Sequence, residues 1–324
     1  MQEHIKPIIV ISKCLGFDHC RWNGEIIPDD FVETLKPFVE YRTICPEVEI
    51  KLGVPRDPIR IVTQKKQLRL MQPATGKDLT DKMNSFSDSF LDSVKSVDGF
   101  ILKFRSPSCG LKNVKIYPGL GKTGSVGKTK GFFGNKVIEK FSHLPIEDEG
   151  RLRNFSIREH FLTRIFTLAR FRKLKSSGKM KDLVKFHSVN KYLLMAYNQK
   201  ALKALGKIVA NHEKKPLKQV LEDYETNFYP AFFRAPRFTS SINVLMHALG
   251  YFSKELKSGE KSFFLDTLEK YRNAKVPLSV PVNILKSWII RFDVAYLADQ
   301  AFFEPYPAEL VEITDSGKGR KLKK

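Results

Sequence analysis

No apolar run in the 324-residue chain approaches the roughly 18 residues that a membrane-spanning helix needs, so a helical membrane protein is excluded. The opening, MQEHIKPIIVISKCLG, carries an acid and a proline and lacks a small-residue cleavage site, so it does not read as a secretory signal. We expect a cytoplasmic protein, with no feature that marks an obligate protein partner. Cysteine is scarce. Only Cys14, Cys20, Cys45 and Cys109 occur, all within the first 110 residues. A cytosolic chain rarely keeps disulfides, and thiols clustered in this way are more often metal ligands or redox groups. None shows C-x-x-C spacing, which removes the zinc-ribbon and ferredoxin patterns.

Acidic side chains are also in short supply: 35 against 56 Lys and Arg, a net charge of +21. From Ile101 to Ile138 there is no acid at all. Residues 151–324 hold 33 basic and 16 acidic side chains. A field of one sign points to a polyanion, nucleic acid before membrane lipid. What is plentiful is apolar content, 42%, enough for a packed core. The length suits two domains.

Residues 6–14, KPIIVISKC, form a β-branched run ending at a cysteine, which predicts a buried parallel strand. Residues 30–40 have helical spacing and an acidic start. YRTICPE is a second strand ending at a cysteine, and residues 59–71 read as a hairpin around Lys65. Asp78 to Val97 predicts a helix, and GFILKFRSPSCG is a third strand with a cysteine beyond it. Strands alternating with helices imply a Rossmann-like parallel α/β sheet.

PGLGKTGSVGKTKGFFG, residues 118–134, fails the phosphate-loop spacing: Lys122 stands where the first glycine belongs. A flexible basic loop closing over a substrate backbone is expected, without a convincing strand before it or helix after it. From Ile157 onward 3.6-residue periodicity dominates, with helices expected over 156–175, 181–198, 199–213, 216–229, 239–256, 261–273 and 281–299. The boundaries predicted are an α/β domain over 1–144, an all-α domain over 145–316, and a basic tail over 317–324.

Cys14, Cys45 and Cys109 each follow an apolar strand. The carboxyl ends of an open parallel sheet line the crevice where ligands bind, so these thiols can converge despite their separation. Spacing leaves three readings open: metal ligands, free core thiols, or a nucleophile paired with histidine. Were the metal a 4Fe–4S cluster, three thiolates rather than four would leave one iron open as a soft Lewis acid.

SKCLGFDHCRWNG, CPEVEIKLGVPR and ILKFRSPSCG resemble the three signature blocks of the TudS-like thiouracil desulfidase domain. EDEGRL, VKFHSVNKYLLMAYN, NVLMHALGYF, VPLSVPVNIL and PYPAEL resemble the YbgA-type helical domain. The combination resembles desulfidases of 4-thiouridine in tRNA. The first block departs from the family pattern, with Cys14-Leu15-Gly16-Phe17 in place of C-L-L-G and Arg21-Trp22-Asn23-Gly24 in place of R-Y-D-G. The resemblance implies a 4Fe–4S cluster on Cys14, Cys45 and Cys109 with one open iron. It also implies non-redox replacement of thiocarbonyl sulfur by oxygen, giving the oxo base and hydrosulfide, and tRNA or a thiolated nucleobase as partner. Free thiouracil or thionucleosides are the rival substrates. A non-catalytic nucleic-acid-binding protein with structural thiols is the rival class.

Glu47 is placed to relay the proton of an attacking water, or else to serve as a hydrogen-bond acceptor or helix cap. Ser106 and Ser108 suit contact with the base or the cluster, Ser108 with a catalytic share. Turn chemistry is the alternative for Ser-Pro-Ser. Lys103 and Arg56 are expected to balance cluster charge or grip phosphate. Arg21, Trp22 and Asn23 complete the substrate-binding set, with Trp22 available for stacking. Cys20 reads as structural. His187, Asn190 and Lys191 form a polar trio on one helix face. His247 reads as a buried histidine. Arg164, Arg170, Arg172, Lys173 and Lys175 form a basic helix end suited to RNA phosphate.

Overall fold

Strand β1, Ile8–Ser12, is buried at all five positions, as a strand covered on both faces must be. The computed structural model that shows this describes residues 4–311. Helix α1 (Asp30–Leu35) starts where Asp29 accepts the N–H of Val32, a side-chain cap that satisfies an otherwise orphaned donor. Strand β2 (Glu40–Ile44) leads directly into the short helix α2 (Pro46–Glu49), with Cys45 as its N-cap residue. Strands β3 (Arg60–Gln64) and β4 (Gln67–Gln72) form the expected hairpin. Its turn places both Lys65 and Lys66 at positive φ, 48° and 66°. Strand β5 (Lys77–Asp78), helix α3 (Thr80–Ser93) and strand β6 (Gly99–Leu102) follow.

The segment expected to be a loop is more ordered. Strand β7 (Val114–Tyr117) precedes it, and strand β8 (Gly127–Thr129) pairs antiparallel with β7. Helix α4 (Phe132–Lys140) then follows. A strand and a helix therefore do flank the glycine- and lysine-rich stretch, although its spacing is not that of a phosphate loop. Strand β9 (Ile146–Asp148) and helix α5 (Glu149–Leu152) precede the 23-residue helix α6 (Phe155–Ser177).

Two sheets result. The first, ordered β2-β1-β6-β9, is parallel throughout. The second, ordered β5-β4-β3-β7-β8, is mixed, with only β3 and β7 parallel. The parallel sheet rests on a core that includes Ile9, Ile11, Leu15, Val32, Leu35 and Ile101, with Phe161, Ile165 and Phe166 of α6.

The chain divides into two units, one comprising residues up to Ala169 and from Tyr306 on, the other Arg170–Pro305. The division falls inside α6. The second unit is helical: α7 (Met180–Val189), α8 (Lys191–Tyr197), α9 (Gln199–Ala210), α10 (Leu217–Ala231), α11 (Phe238–Gly250), α12 (Ser258–Arg272), α13 (Ser279–Arg291) and α14 (Ala295–Ala298). The helix expected over 181–198 is two, broken at Asn190. That residue is fully buried and turns its Nδ2 onto Phe186 O at 2.8 Å. An aromatic cluster holds this unit, with Phe228 within 4.7 Å of Phe171, 5.4 Å of Phe186 and 5.6 Å of Tyr224 between ring centroids. The fold class is thus a parallel α/β region followed by a helical one. The basic tail over 317–324 lies outside the described residues.

A thiol-lined candidate active site

Because β2, β1 and β6 are adjacent and parallel, the segments leaving their carboxyl ends emerge side by side. Cys14 lies two residues past β1, Cys45 immediately past β2, and Cys109 on the turn beyond β6. All three line one cavity of about 340 Å³, a volume within the range of small-molecule sites. Cys20 lines it as well. All four are free thiols and buried.

Local structure explains each placement. The Cys14 carbonyl accepts from Ile27 N at 2.8 Å. Gly16, at φ 81°, passes so close to Glu33 that a Cβ there would meet Oε1 at 2.7 Å. Cys45 O accepts from Val48 N and Glu49 N at 3.0 and 3.1 Å, locking the start of α2. The Cys109 turn is held from below by the start of α4. Phe132 N donates to Pro107 O at 3.1 Å, and Gly134 N to Ser108 O at 3.0 Å. A Cβ on Gly131 would lie 2.5 Å from Ser108 O, and one on Gly134 2.6 Å from Cys109 O. The glycines of this segment therefore permit close backbone approach.

The electrostatics of the thiols differ. Burial pushes Cys14 up to about 12, and Cys45 adds to the rise. Burial also raises Cys109, opposed by a hydrogen bond with Ser12. Hydrogen bonding with Cys20 holds Cys45 below the usual thiol range against its burial, with the Val48 N–H assisting, and Cys20 rises in return.

A hydrogen-bonded chain crosses the cavity. Ser106 Oγ accepts the N–H groups of Ser108 and Cys109 at 3.2 and 3.1 Å and lies 2.9 Å from Ser108 Oγ. Ser108 Oγ donates to Glu47 Oε1 at 2.7 Å. Glu47 Oε2 accepts from Arg56 Nε at 2.9 Å and forms an ion pair with its Nη2 at 2.8 Å.

Of the residues singled out from sequence, Cys14, Cys45, Cys109, Glu47, Ser106, Ser108, Lys103, Arg56, Arg21 and Trp22 all line this cavity. Asn23 does not. Its Oδ1 accepts Glu25 N at 3.3 Å in a local turn. Arg21 pairs with Glu25 at 2.9 Å. Lys103 forms an ion pair with the buried Glu149, which also accepts Phe104 N at 2.7 Å. Trp22 lines the cavity and is 42% exposed. Two polar lining residues escaped the sequence reading. Ser12 accepts Lys103 N at 2.9 Å, and the exposed Arg105 lies over the Phe104 ring at 4.6 Å. Ser12 is the one polar residue in the apolar run of β1, the signal that would have found it.

Elsewhere the expectations change. Arg164 donates to His143 O at 3.1 Å, Arg170 to Pro305 O at 2.9 Å, and Lys175 pairs with Glu225 at 2.6 Å, so the basic helix end is largely engaged within the fold. His187 Nδ1 lies 3.2 Å from Tyr224 Oη, which with the buried Asn190 makes the polar trio mainly interior. His247 is exposed, not buried. Among the described residues, no three His, Cys, Asp or Glu side chains stand close enough to hold a single metal ion. No described helix is long and apolar enough to cross a membrane.

A parallel sheet that delivers thiols, a carboxylate and two hydroxyls to one cavity at its carboxyl edge defines an α/β enzyme domain of the switch-point kind. Residues 9–149 match the family model described as 2-thiouracil desulfurase, and residues 191–307 match one described as a protein of unknown function, DUF1722. The chain joins a TudS-like desulfidase domain to a YbgA-type helical domain. It is 28% identical over 158 residues to the uncharacterized protein YbgA of Escherichia coli strain K12, covering 48% of this chain and 93% of that protein. It is 29% identical over 110 residues to the uncharacterized protein YbbK of Bacillus subtilis strain 168, covering 32% and 73%. Among solved structures, the [4Fe-4S]-dependent thiouracil desulfidase TudS matches at 24% identity and a TM-score of 0.36, over 45% of this chain and 93% of that one. The family match makes desulfuration of a thiolated base the class of activity.

Proposed function

We propose that this protein removes sulfur from a thiolated pyrimidine, 4-thiouridine in tRNA, with a 4Fe–4S cluster held by Cys14, Cys45 and Cys109. The observation that carries the reading is the cavity itself, where these three thiols, none of them in a disulfide, meet Glu47 and Ser108. The donor set fits the group: sulfur ligands are soft and suit iron–sulfur clusters, and no histidine lines the cavity. Cys14, Cys45 and Cys109 would hold a multi-iron cluster rather than one ion, so single-ion spacing is not required of them. When bound there, it would supply an open iron position with affinity for thiocarbonyl sulfur.

The chain's own residues supply the rest. Water adds its oxygen to the base carbon as the C–S bond breaks. The base gains an oxo group and the sulfur leaves as hydrosulfide, with no net change of oxidation state. Glu47 Oε1 takes a proton from that water, and Ser108 steadies the carboxylate that does so. Trp22 offers a ring for stacking, and Arg105 a cation.

The tRNA half of the reading rests on charge. On α9, Lys200, Lys203 and Lys207 are exposed and spaced by three and four residues, so they share a helix face. Among the described residues none of them has an acidic partner. This stripe suits a phosphate backbone better than the engaged cations of α6.

Anaerobic purification and reconstitution test the cofactor. Brown protein with roughly four irons per chain is expected. Colourless, iron-free protein would sink the reading. Thiolated tRNA and free 4-thiouracil, compared under the same anaerobic conditions, separate the substrates. Sulfur loss from the free base alone would remove tRNA.

A further inference from the structure

Arg56 is the least free arginine in the cavity wall: its side chain is 4% exposed, and that of Glu47 is 13% exposed. An arginine has five N–H donors in a rigid fork. Three are committed here. Nε goes to Glu47 Oε2 at 2.9 Å, and Nη2 stands in ion-pair contact with the same oxygen at 2.8 Å. Nη1 goes to Cys20 O at 3.0 Å and Gly53 O at 2.9 Å. Its backbone N–H also donates to Trp22 O at 2.7 Å. The guanidinium is thus anchored to the Cys20 loop and the Gly53 turn before it reaches the carboxylate.

The consequence falls on the other carboxylate oxygen. With Oε2 held by the guanidinium through one hydrogen bond and an ion-pair contact, Oε1 is the oxygen directed at Ser108. Ser106 Oγ already accepts two backbone N–H groups, so its own hydrogen goes to Ser108 Oγ, 2.9 Å away. Ser108 has one hydrogen, and the 2.7 Å bond to Glu47 takes it in preference to Cys109 Sγ at 3.7 Å. The chain therefore runs one way, from Ser106 through Ser108 to Oε1.

We infer that Arg56 is the positioning residue that fixes Glu47 so that Oε1 is its working oxygen. This rests on the reading of Glu47 as the proton carrier, and it replaces the expectation that Arg56 grips a phosphate. Lysine offers a point charge without the fork, so Arg56→Lys keeps the charge and loses the aim.

The test uses reconstituted full-length protein of equal iron content, with 4-thiouridine-containing tRNA as substrate, or free 4-thiouracil if that alone is turned over. Arg56→Lys is expected to lower kcat by about tenfold or more, with KM within about twofold of wild type. Arg56→Ala should fall further and regain part of its kcat in millimolar guanidinium, as expected for a group whose role is geometric. Arg56→Lys in a Glu47→Gln background should cost nothing more than Glu47→Gln alone, because residues acting as a unit are non-additive. Unchanged kcat, or a raised KM at unchanged kcat, in Arg56→Lys overturns the inference. Should Arg56→Ala fail to fold, the lysine variant and the double variant still decide. If Glu47→Gln keeps wild-type kcat, the proton-carrier reading itself has failed. If Glu47→Gln is inactive while Arg56→Lys is normal, only the positioning inference has.

Discussion

Ser108 Oγ donates to Glu47 Oε1 at 2.7 Å, joining residues 61 apart in sequence. One sits on the turn beyond β6 and the other on α2 beyond β2, and these strands flank β1 on either side. The bond therefore ties together the segments that carry Cys45 and Cys109. General acid–base groups typically contribute about 10²–10⁴-fold. Glu47→Gln should lower kcat by that order while leaving iron content unchanged. Ser108→Ala should cost less, since Arg56 still holds the carboxylate. Steady-state rates alongside iron analysis check both. Loss of iron in step with activity would instead give the pair a purely structural role.

Gly134 is expected to be intolerant of any side chain. A Cβ there would lie 2.6 Å from Cys109 O and 2.7 Å from Gly110 O, and these are backbone atoms with nowhere to go. Gly134→Ala should cost about 1–3 kcal/mol, as overpacking does, and should reduce iron loading by displacing the Cys109 turn. Gly121→Ala in the same stretch meets nothing within 4 Å and is the control. Denaturant midpoints and iron content of the two variants make the comparison.

How far the sequence foretold this differs by element. The β1 run IIVIS and the β6 run GFIL are buried at every position, so continuous hydrophobicity announced them. Strands β7 and β8, VKIY and GKT, are short and broken by lysines, and β9 is the charged tripeptide IED. Their pairing comes from tertiary context, which leaves no periodic trace. Convergence of the cysteines was legible because each follows a strand of one parallel sheet. The partnership of Arg56 with Glu47 was not. Two charges nine residues apart look like surface groups until the Gly53 turn folds one onto the other. Nor was the engagement of Arg170, because a cation buried against a carbonyl has the same letter as a free one.

The lysine stripe on α9 carries an electrostatic prediction. Removing one phosphate-binding charge should shallow the dependence of log affinity on log salt by about 0.7–0.9. Replacing Lys200, Lys203 and Lys207 together by Gln should therefore weaken tRNA binding and reduce that slope by about 2–3, while turnover of free 4-thiouracil stays at the wild-type rate. Binding titrations across a salt series read the first effect and free-base kinetics the second. An unchanged slope would move the RNA surface elsewhere.

His160 predicts a limb in the stability profile. Burial, and then the charge of Arg164, push its pKa down from 6.5 to about 4. The folded state thus resists a proton that the unfolded state accepts. The contribution of this histidine is therefore fully present above pH 6.5, is lost as pH falls from there toward 4, and changes no further below. His187, also depressed by burial, acts in the same direction, so the wild-type profile sums both. At about 1.36 kcal/mol per pKa unit, His160 accounts for a loss on the order of 3 kcal/mol across the window. His160→Gln, which cannot take the proton, should flatten that part of the curve and leave the rest. Urea unfolding at intervals from pH 7.5 to about 4 measures the difference, and parallel wild-type and variant curves would assign the limb to other groups.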